Sequence, residues 1–255
     1  MKIKSVLVSQ PKPVDFEKSP YGELAKKHSL TIDFFKFITI EGVPARDFRQ
    51  DRISLADHTA VIMTSRNSVD HFFRIAKEMR YEVPETMKYF CISESTAYYL
   101  QKYVQFRKRK IFHGKQSFND LIDIIKKHKE EKYLLPCSDI HKESMVDLLE
   151  ENKVEFTKAV LYKTVASNLS SIKLDNYDMV IFFSPAGIKS LQKNFPKFKQ
   201  GDKIFGGFGE STCEAIKEAG FKLHIEAPTK SSPSMTMAIE EFIEAENKKA
   251  RKKTV

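Results

Sequence analysis

Residues 57–72 read DHTAVIMTSRNSVDHF, residues 177–192 read YDMVIFFSPAGIKSLQ, and the two stretches share one pattern. Each contains a run of apolar residues that leads to a serine, Ser65 in the first and Ser184 in the second, and a segment with helical periodicity follows. A short apolar run before an amphipathic segment is typical of a buried strand followed by a helix. The same strand–helix unit is therefore predicted twice.

A second pair of stretches repeats in the same order. Residues 89–100 read YFCISESTAYYL and residues 204–216 read IFGGFGESTCEAI, and both carry Glu-Ser-Thr after a short apolar run. The repeat period exceeds one hundred residues, which is too long for the stacked units of a solenoid. The repeat instead predicts two similar domains.

Short runs rich in β-branched and aromatic residues alternate with amphipathic segments along the whole chain. This alternation is typical of βαβ units, which form parallel sheets with helices on both faces. The predicted strands are Ile3–Val8, Thr31–Phe37, Ala60–Met63, Tyr89–Ile92, Lys110–Phe112, Tyr133–Leu135, Phe156–Thr164, Met179–Phe183, Lys203–Gly206 and Lys222–Ile225.

We expect an α/β fold with two similar domains, each a five-stranded parallel sheet flanked by helices. Five predicted strands lie in the middle of the chain and five at its ends, so that one domain is inserted in the other. Residues 1–37 and 166–255 are predicted to form domain 1, and residues 43–162 the inserted domain 2. The crossings at 38–42 and 163–165 are extended, and we expect them to pair as a two-stranded hinge.

Length and composition agree with a two-domain globular protein. The chain has 255 residues, of which 41% are hydrophobic, enough for two cores of ordinary size. Ser5, Ser9 and Pro11 interrupt the first apolar stretch, which a secretory signal would need unbroken. We therefore expect a cytoplasmic protein. Its three cysteines form no Cys-x-x-Cys pair and are odd in number, which favours buried free thiols over a disulfide framework.

A formal net charge of +9 favours an anionic partner, which could be nucleic acid, anionic lipid or a small polycarboxylate or phosphate. No nucleic-acid motif accompanies the basic residues 107–110, and no run approaches a membrane span. The chain also lacks a phosphate-binding loop, a dinucleotide fingerprint and the clustered histidines and cysteines of a metal site. Ser184 lacks the preceding glycine of a hydrolase nucleophile turn.

Small polar residues follow the predicted strands at the points where helices begin. In open parallel sheets ligands bind at the carboxyl ends of the strands, and a helix N-terminus binds anions through its free N–H groups. The same residues are also ordinary N-caps, so a purely structural role stays open for each. The candidate substrate-binding residues are Ser65, Arg66, Asn67, Ser95, Thr96, Ser138, Ser184, Gly209, Ser211 and Thr212.

At these positions the chain resembles the uroporphyrinogen-III synthases over nearly its whole length. The family has two degenerate strand–helix blocks, a strand with Tyr-x-Thr between them, and Ala-x-Pro-Thr near the end. The departures are Ser9-Gln10 in place of Thr-Arg, Ser93 in place of a glycine, and Cys213 in place of an alanine. The matching residues are Thr64-Ser65, Ser95-Thr96-Ala97, Tyr162-Lys163-Thr164, Phe183-Ser184-Pro185, Gly209-Glu210-Ser211-Thr212 and Glu226-Ala227-Pro228-Thr229.

The resemblance implies two flavodoxin-like domains that bind hydroxymethylbilane, a linear tetrapyrrole with eight carboxylates, between them. The implied reaction removes water, inverts ring D through a spiro intermediate and closes the macrocycle, without a cofactor or a metal. It makes Tyr162 the candidate proton donor, with a structural role as a packed strand tyrosine at the domain junction left open, and it adds Thr229 to the binding residues. Separately from the resemblance, we expect a monomer that binds neither membrane nor nucleic acid, with a functional handover of substrate from hydroxymethylbilane synthase.

Two alternatives remain at this point. A non-catalytic two-domain protein could bind an anionic small molecule in its cleft, and a basic nucleic-acid-binding protein would also account for the charge. Because hydroxymethylbilane cyclises unaided without inverting ring D, a synthase has mainly to hold the substrate in one geometry. Formation of the type III isomer would therefore distinguish a synthase from a protein that only binds.

Overall fold

A computed structural model describes residues 3–115, 117–140 and 143–253, with the side chains of residues 250–253 left out. The chain divides into two compact units. Unit 1 consists of residues 1–39 and 165–255, and unit 2 of residues 40–164. Each unit is an α/β assembly in which helices cover a sheet.

The strands and helices alternate along most of the chain, except between β2 and β3 and between β8 and β9. The strands are β1 (Ser5–Val8), β2 (Thr31–Phe34), β3 (Ile38–Gly42), β4 (Ala60–Met63), β5 (Lys88–Cys91), β6 (Ile111–His113), β7 (Tyr133–Ser138), β8 (Phe156–Ala166), β9 (Met179–Phe182), β10 (Ile204–Phe208) and β11 (Leu223–Ala227). The helices are α1 (Pro20–His28), α2 (Ala45–Phe48), α3 (Arg66–Glu78), α4 (Glu94–Leu100), α5 (Phe118–Ile125), α6 (Glu143–Glu151), α7 (Pro185–Asn194), α8 (Glu210–Glu218) and α9 (Met235–Lys253).

The sheet of unit 1 has five strands in the order β2-β1-β9-β10-β11. Its four strand pairs are all parallel. Counted along the chain within this unit, the order is 2-1-3-4-5, which is the order of a flavodoxin-like sheet. The flavodoxin-like domain expected from the sequence is therefore present in unit 1.

The sheet of unit 2 has six strands in the order β3-β8-β7-β4-β5-β6. The four pairs from β8 to β6 are parallel. The sequence repeat matches β4 to β9 and β5 to β10. When the two strand orders are aligned on these matches, β8 corresponds to β2, β7 to β1 and β6 to β11. The two sheets thus share one spatial order, but the chain enters them at different strands.

The expectation of five strands in each sheet is wrong for unit 2. All ten predicted strands overlap strands of the structure. Residues 38–42, expected to pair with 163–165 as a two-stranded hinge, form β3 beside β8, which contains 163–165, but they do so as a sixth strand at the edge of this sheet. An extended segment leaves a row of unpaired N–H and C=O groups, and pairing with β8 satisfies one side of it. The boundary between the units falls inside both β3 and β8.

Each central strand is buried on both faces. In β4, Val61 and Met63 face a cluster that includes Phe72 of α3, whereas Ala60 and Ile62 face a cluster with residues of α5 and α6. Such strands appear as continuous apolar runs instead of alternating ones. Full burial of each large apolar side chain contributes about 1.5–3 kcal/mol, so these strands anchor the polar residues that follow them.

Unit 1 is built in the same way around β1. Val6 and Val8 pack with residues of α1 and α9, and Leu7 packs on the other face with residues of α7 and α8. The loops that leave the carboxyl end of this sheet therefore start from rigid positions.

The three cysteines are free and buried, as expected from the sequence. Burial raises the pKa of the Cys91 thiol to about 12 and that of Cys137 to about 11, and it also raises the pKa of Cys213. The reactive thiolate is therefore scarce at neutral pH. We expect a colourimetric disulfide reagent to label none of the three within minutes in the folded protein and all three in denaturant. Rapid labelling of the native protein would contradict this.

Among the residues that the structure describes, none of the helices combines the length and the apolar character needed to cross a lipid bilayer.

Candidate functional site

Ser65 follows β4 and Ser138 ends β7, and these are the two strands of unit 2 at which the strand order reverses. The chain leaves β4 toward β5 on one side and leaves β7 toward β8 on the other. The carboxyl ends of two such adjacent parallel strands form a crevice, which is where ligands bind in open α/β sheets. The structure thus places Ser65 and Ser138 at the topological switch point of unit 2.

Ser65 is the N-cap of α3 and has extended backbone angles. Its Oγ accepts from the Ser68 N–H at 3.1 Å, and the Ser65 N–H donates to Ser68 Oγ at 3.0 Å. This reciprocal pair is a capping box, which satisfies one N–H of the first turn and leaves others free. Arg66 and Asn67, the first two residues of α3, are exposed, and they stay available to an anion.

Tyr162 lies on β8 directly opposite Ser138 of β7. Only 6% of Tyr162 is exposed. Burial raises the pKa of its hydroxyl, and a hydrogen bond with the Ser65 side chain offsets part of that rise. At neutral pH Tyr162 therefore carries its O–H proton beside the N-terminus of α3.

One residue of α3, His71, contacts the ring of Tyr162, and a second, Arg74, contacts His71. The imidazole of His71 stacks on the Tyr162 ring, with ring centroids 4.9 Å apart and planes 19° apart. His71 Nδ1 in turn accepts from Arg74 Nε at 3.1 Å. Sequence reasoning missed both residues, because a histidine and an arginine on a helix carry no signal until the strand that they contact is known.

Ser95 and Thr96 lie in the first turn of α4, whose N-cap is Ser93. Ser93 Oγ lies 3.0 Å from Ser95 Oγ and 3.1 Å from Thr96 Oγ1. Ser95 is exposed, but Thr96 is only 5% exposed, so its hydroxyl serves the local network. The guanidinium of Arg66 lies 5.3 Å from the ring centroid of Tyr99 in the same helix.

Ser138 ends β7 and is 8% exposed. Its hydroxyl donates to Asp139 Oδ1 at 2.8 Å, and the Thr164 N–H donates to the same oxygen at 3.0 Å. Burial alone would raise the pKa of Asp139, but the hydrogen bonds from Thr164 and Ser138 lower it overall. This turn ties β7 to β8 immediately beyond Tyr162.

In unit 1, β1 and β9 meet at the corresponding switch point. Ser184 caps α7 and its Oγ accepts from the Gly187 N–H at 3.3 Å. A Cβ added at Gly187 would lie 3.8 Å from both Ser184 Oγ and Ser9 Oγ. Ser9, which follows β1, therefore joins Ser184 here, in the place that Ser138 takes in unit 2. The internal repeat gives no signal for Ser9, since it matches β9 to β4 but does not match β1 to β7.

The N-terminus of α8 has no side-chain cap. Gly209 precedes it with φ +86°, a conformation that suits glycine, and its N–H donates to the Ala227 carbonyl of β11. Ser211 is exposed, whereas Thr212 is only 2% exposed. The uncapped first turn leaves backbone N–H groups for an anion, although the exposed carboxylate of Glu210 shares this turn.

Thr229 follows β11 after a cis bond between Ala227 and Pro228. Its Oγ1 accepts from the Ser232 N–H at 2.9 Å, and its own N–H donates to the Ser232 carbonyl at 2.9 Å. Thr229 is exposed. It closes the loop before α9 and is still open to solvent.

Taken unit by unit, the predicted residues gather at the carboxyl end of each sheet. Within this set Thr96, Ser138, Tyr162 and Thr212 are buried, with 2–8% of each residue exposed. Unit 2 contributes Ser65, Arg66, Asn67, Ser95, Thr96, Ser138 and Tyr162, and unit 1 contributes Ser184, Gly209, Ser211, Thr212 and Thr229.

Of the side chains that the structure describes, one group has metal-ligand spacing, namely His28, Glu240 and Glu244. It joins α1 to α9 and lies away from the serine caps. The ammonium of Lys27 already contacts Glu240 Oε1 at 2.6 Å. A lysine in this position supplies the positive charge that a metal ion would bring, so this group is an ion-pair cluster.

A family model described as uroporphyrinogen-III synthase HemD matches residues 19–237. A search of curated proteins finds no match.

Among solved structures, uroporphyrinogen-III synthetase from Helicobacter pylori 26695 is 16% identical, with a TM-score of 0.58 over 95% of this chain and 100% of its own. A mutant uroporphyrinogen III synthase from the extremely thermophilic bacterium Thermus thermophilus is 15% identical, with a TM-score of 0.51 over 96% of this chain and 99% of its own. At these identities the likeness shows a common fold. The family model spans most of the sequence, and the chain therefore belongs to the uroporphyrinogen-III synthase family.

Proposed function

We propose that this chain is a uroporphyrinogen-III synthase that cyclises hydroxymethylbilane with inversion of ring D and loss of water, as a cyclising hydro-lyase of porphyrin and heme biosynthesis. The family match over residues 19–237 is the observation that carries this proposal. The serine-capped carboxyl ends of both sheets support it, because they provide two sets of anion-binding groups for a substrate with eight carboxylates.

Backbone N–H groups bind most of the substrate carboxylates in this proposal. The long helices α3 and α7 and the uncapped α8 present first-turn amides and a partial positive charge, and each such terminus stabilises a nearby anion by about 0.3–1 kcal/mol. Arg66 and Asn67 add side-chain donors in unit 2, and Ser211 and Thr229 do so in unit 1. Several contacts of this size together select one substrate conformation.

Tyr162 donates the proton in the first chemical step. The C–O bond of the hydroxymethyl group breaks, its electron pair stays on oxygen, and the phenol proton converts the departing hydroxide to water. Ser65 Oγ accepts from Ser68, so the Ser65 proton is free to donate to the phenol oxygen. This arrangement leaves the O–H of Tyr162 for the substrate. The proton that a pyrrole loses after ring closure restores the phenol.

The remaining contribution is geometric. Unassisted cyclisation does not invert ring D, so the synthase must hold the chain folded for attack through the spiro intermediate. We propose that residues 38–42 of β3 and 163–165 of β8 act as an inter-domain hinge, and that substrate binding is coupled to motion of the domains about it. We also propose that the protein works as a cytoplasmic monomer and takes its substrate from hydroxymethylbilane synthase.

A coupled assay tests the activity directly. Porphobilinogen and hydroxymethylbilane synthase generate the substrate in the presence of this protein, and the products are oxidised and separated into isomers I and III. We expect isomer III to predominate with the native protein and isomer I with the heat-denatured protein. Isomer I alone in both reactions would refute the synthase assignment and favour a protein that only binds.

A further inference from the structure

The residues around Tyr162 form a connected chain that the reaction outlined above does not use. The chain runs from the stacked ring of His71 to Arg74, three residues farther along α3. The charge of Arg74 is balanced by Glu78, whose Oε1 accepts from Arg74 Nη1 at 2.7 Å. Arg74 Nη2 donates to the carbonyls of Val43 and Leu161, each at 2.9 Å.

Arg74 therefore connects three elements at once. Leu161 immediately precedes Tyr162 on β8, Val43 immediately follows β3, and the Val43 N–H donates to the Leu161 carbonyl at 2.9 Å. A planar guanidinium has five donors in a fixed geometry, so it can contact both carbonyls and the imidazole together. This side chain holds the position of Tyr162 relative to α3.

The hydrogen bond from Arg74 also determines the state of His71. Because Arg74 Nε is always a donor, His71 Nδ1 must be the acceptor, and the proton of the neutral ring lies on Nε2. Burial lowers the pKa of His71, the charge of Arg74 lowers it further, and Asp70 and Glu78 act in the opposite direction. His71 is thus neutral where it stacks on Tyr162.

We propose that His71 and Arg74 are positioning residues for Tyr162: Arg74 keeps His71 neutral and oriented, and the neutral imidazole fixes the phenol for proton transfer. This inference rests on the proposed function. A neutral ring suits the reaction, because the intermediates after water loss are cations and an imidazolium near them would raise their free energy.

Gly42 makes the proposal testable without altering any of these three side chains. A Cβ added at Gly42 would lie 2.6 Å from Arg74 Nε and 2.9 Å from Arg74 Nη2. Contacts that short do not occur, so the flexible end of Arg74 must move. Gly42→Ala therefore displaces the guanidinium and should break its bond to His71.

The first measurement is NMR of the His71 ring nitrogens in the substrate-free protein, wild type and variants. We expect the Nε2–H tautomer and a depressed pKa in the wild type. In Arg74→Met and Gly42→Ala we expect mixed tautomers, and in Arg74→Met also a higher pKa, since the charge of Arg74 no longer opposes protonation. Lys77→Met, which removes an exposed cation from the same helix, should leave the ring unchanged. Wild-type tautomer and pKa in both Arg74→Met and Gly42→Ala would overturn the proposal.

The second measurement is formation of isomer III as a function of pH. In Arg74→Met, His71 gains its proton at a higher pH than in the wild type. On acidification, the activity of this variant should therefore begin to fall at a higher pH than that of the wild type. His71→Ala should lower kcat about tenfold to a hundredfold with little change in KM, because a small misplacement of a reacting group costs this much. His71→Phe keeps an aromatic ring that cannot be protonated and should restore most of the activity.

The outcomes separate the two proposals. If Tyr162→Phe abolishes isomer III but His71→Ala and Arg74→Met match the wild type in rate and pH profile, the positioning role is refuted and the synthase stands. If the wild type makes no isomer III, the synthase assignment fails, whatever the NMR spectra show. Unchanged circular dichroism and melting temperature in Gly42→Ala would assign its effect to the displaced guanidinium.

Discussion

Tyr162→Phe is expected to lower the rate of isomer III formation by about a hundredfold, since a positioned general acid contributes about 10²–10⁴-fold. The variant keeps the ring that stacks on His71 and loses only the proton donor. Uncatalysed cyclisation to isomer I then competes, so the isomer III fraction should drop sharply. The coupled assay with separation of the isomers measures both quantities.

Tyr133→Phe is the matched control for this substitution. Tyr133 is a buried tyrosine on the neighbouring strand β7, and its hydroxyl donates to the His128 carbonyl at 2.9 Å. It begins its strand, whereas Ser138, opposite Tyr162, ends it. Loss of the Tyr133 hydroxyl should lower the free energy of unfolding by about 1 kcal/mol and leave the ratio of isomers I and III unchanged. An unchanged isomer III fraction in Tyr162→Phe would remove Tyr162 from the mechanism.

The second large effect is expected from Ser184→Asp in unit 1. Aspartate caps a helix about as well as serine does and interacts favourably with the helix dipole, so the free energy of unfolding should change by less than about 1 kcal/mol. The new carboxylate would lie where a substrate carboxylate is proposed to bind. Two like charges about 5 Å apart repel by about 3 kcal/mol at an effective dielectric constant of about 20.

Solvent screening reduces that repulsion, so we expect KM for hydroxymethylbilane to rise at least about tenfold, which corresponds to about 1.4 kcal/mol. Ser170→Asp adds the same charge to unit 1 at an exposed residue in the loop before β9, away from the carboxyl ends of the strands. Its KM should stay within about twofold of the wild type. Equal KM values in the two variants would show that the cap of α7 does not contact the substrate.

The parts of this architecture that a few neighbouring residues encode could be predicted from the sequence. Strand β4 and helix α3 follow from the single short stretch 60–78, because an apolar run, a capping serine and helical periodicity are all local signals. The internal repeat extends the prediction to β9 and α7. The candidate residues Ser65 and Ser184 were located in this way.

Features that depend on strand order escaped the same reasoning. Ser9 was not among the candidate residues, because its equivalence to Ser138 is recognised only when β1 and β7 are known to occupy equivalent places in the two sheets. Residues 38–42 were expected to pair with 163–165 as a hinge, and they do lie beside β8, but their place as a sixth strand of the sheet of unit 2 was not expected. Neither placement has a local signature, since each depends on the order of strands that are far apart in the chain.

The sequence by itself determined the alternation of strands and helices, the presence of two similar units and the serines that begin their helices. Each of these follows from short patterns of neighbouring residues and from the repetition of those patterns. Only the tertiary structure decided what surrounds Tyr162. His71 and Arg74 lie 91 and 88 positions before it, and they reach it because β8 and α3 belong to the same unit and pack together. Contact across such a separation arises from the pairing of the whole sheet, which buries Tyr162 on β8 and places its ring against α3.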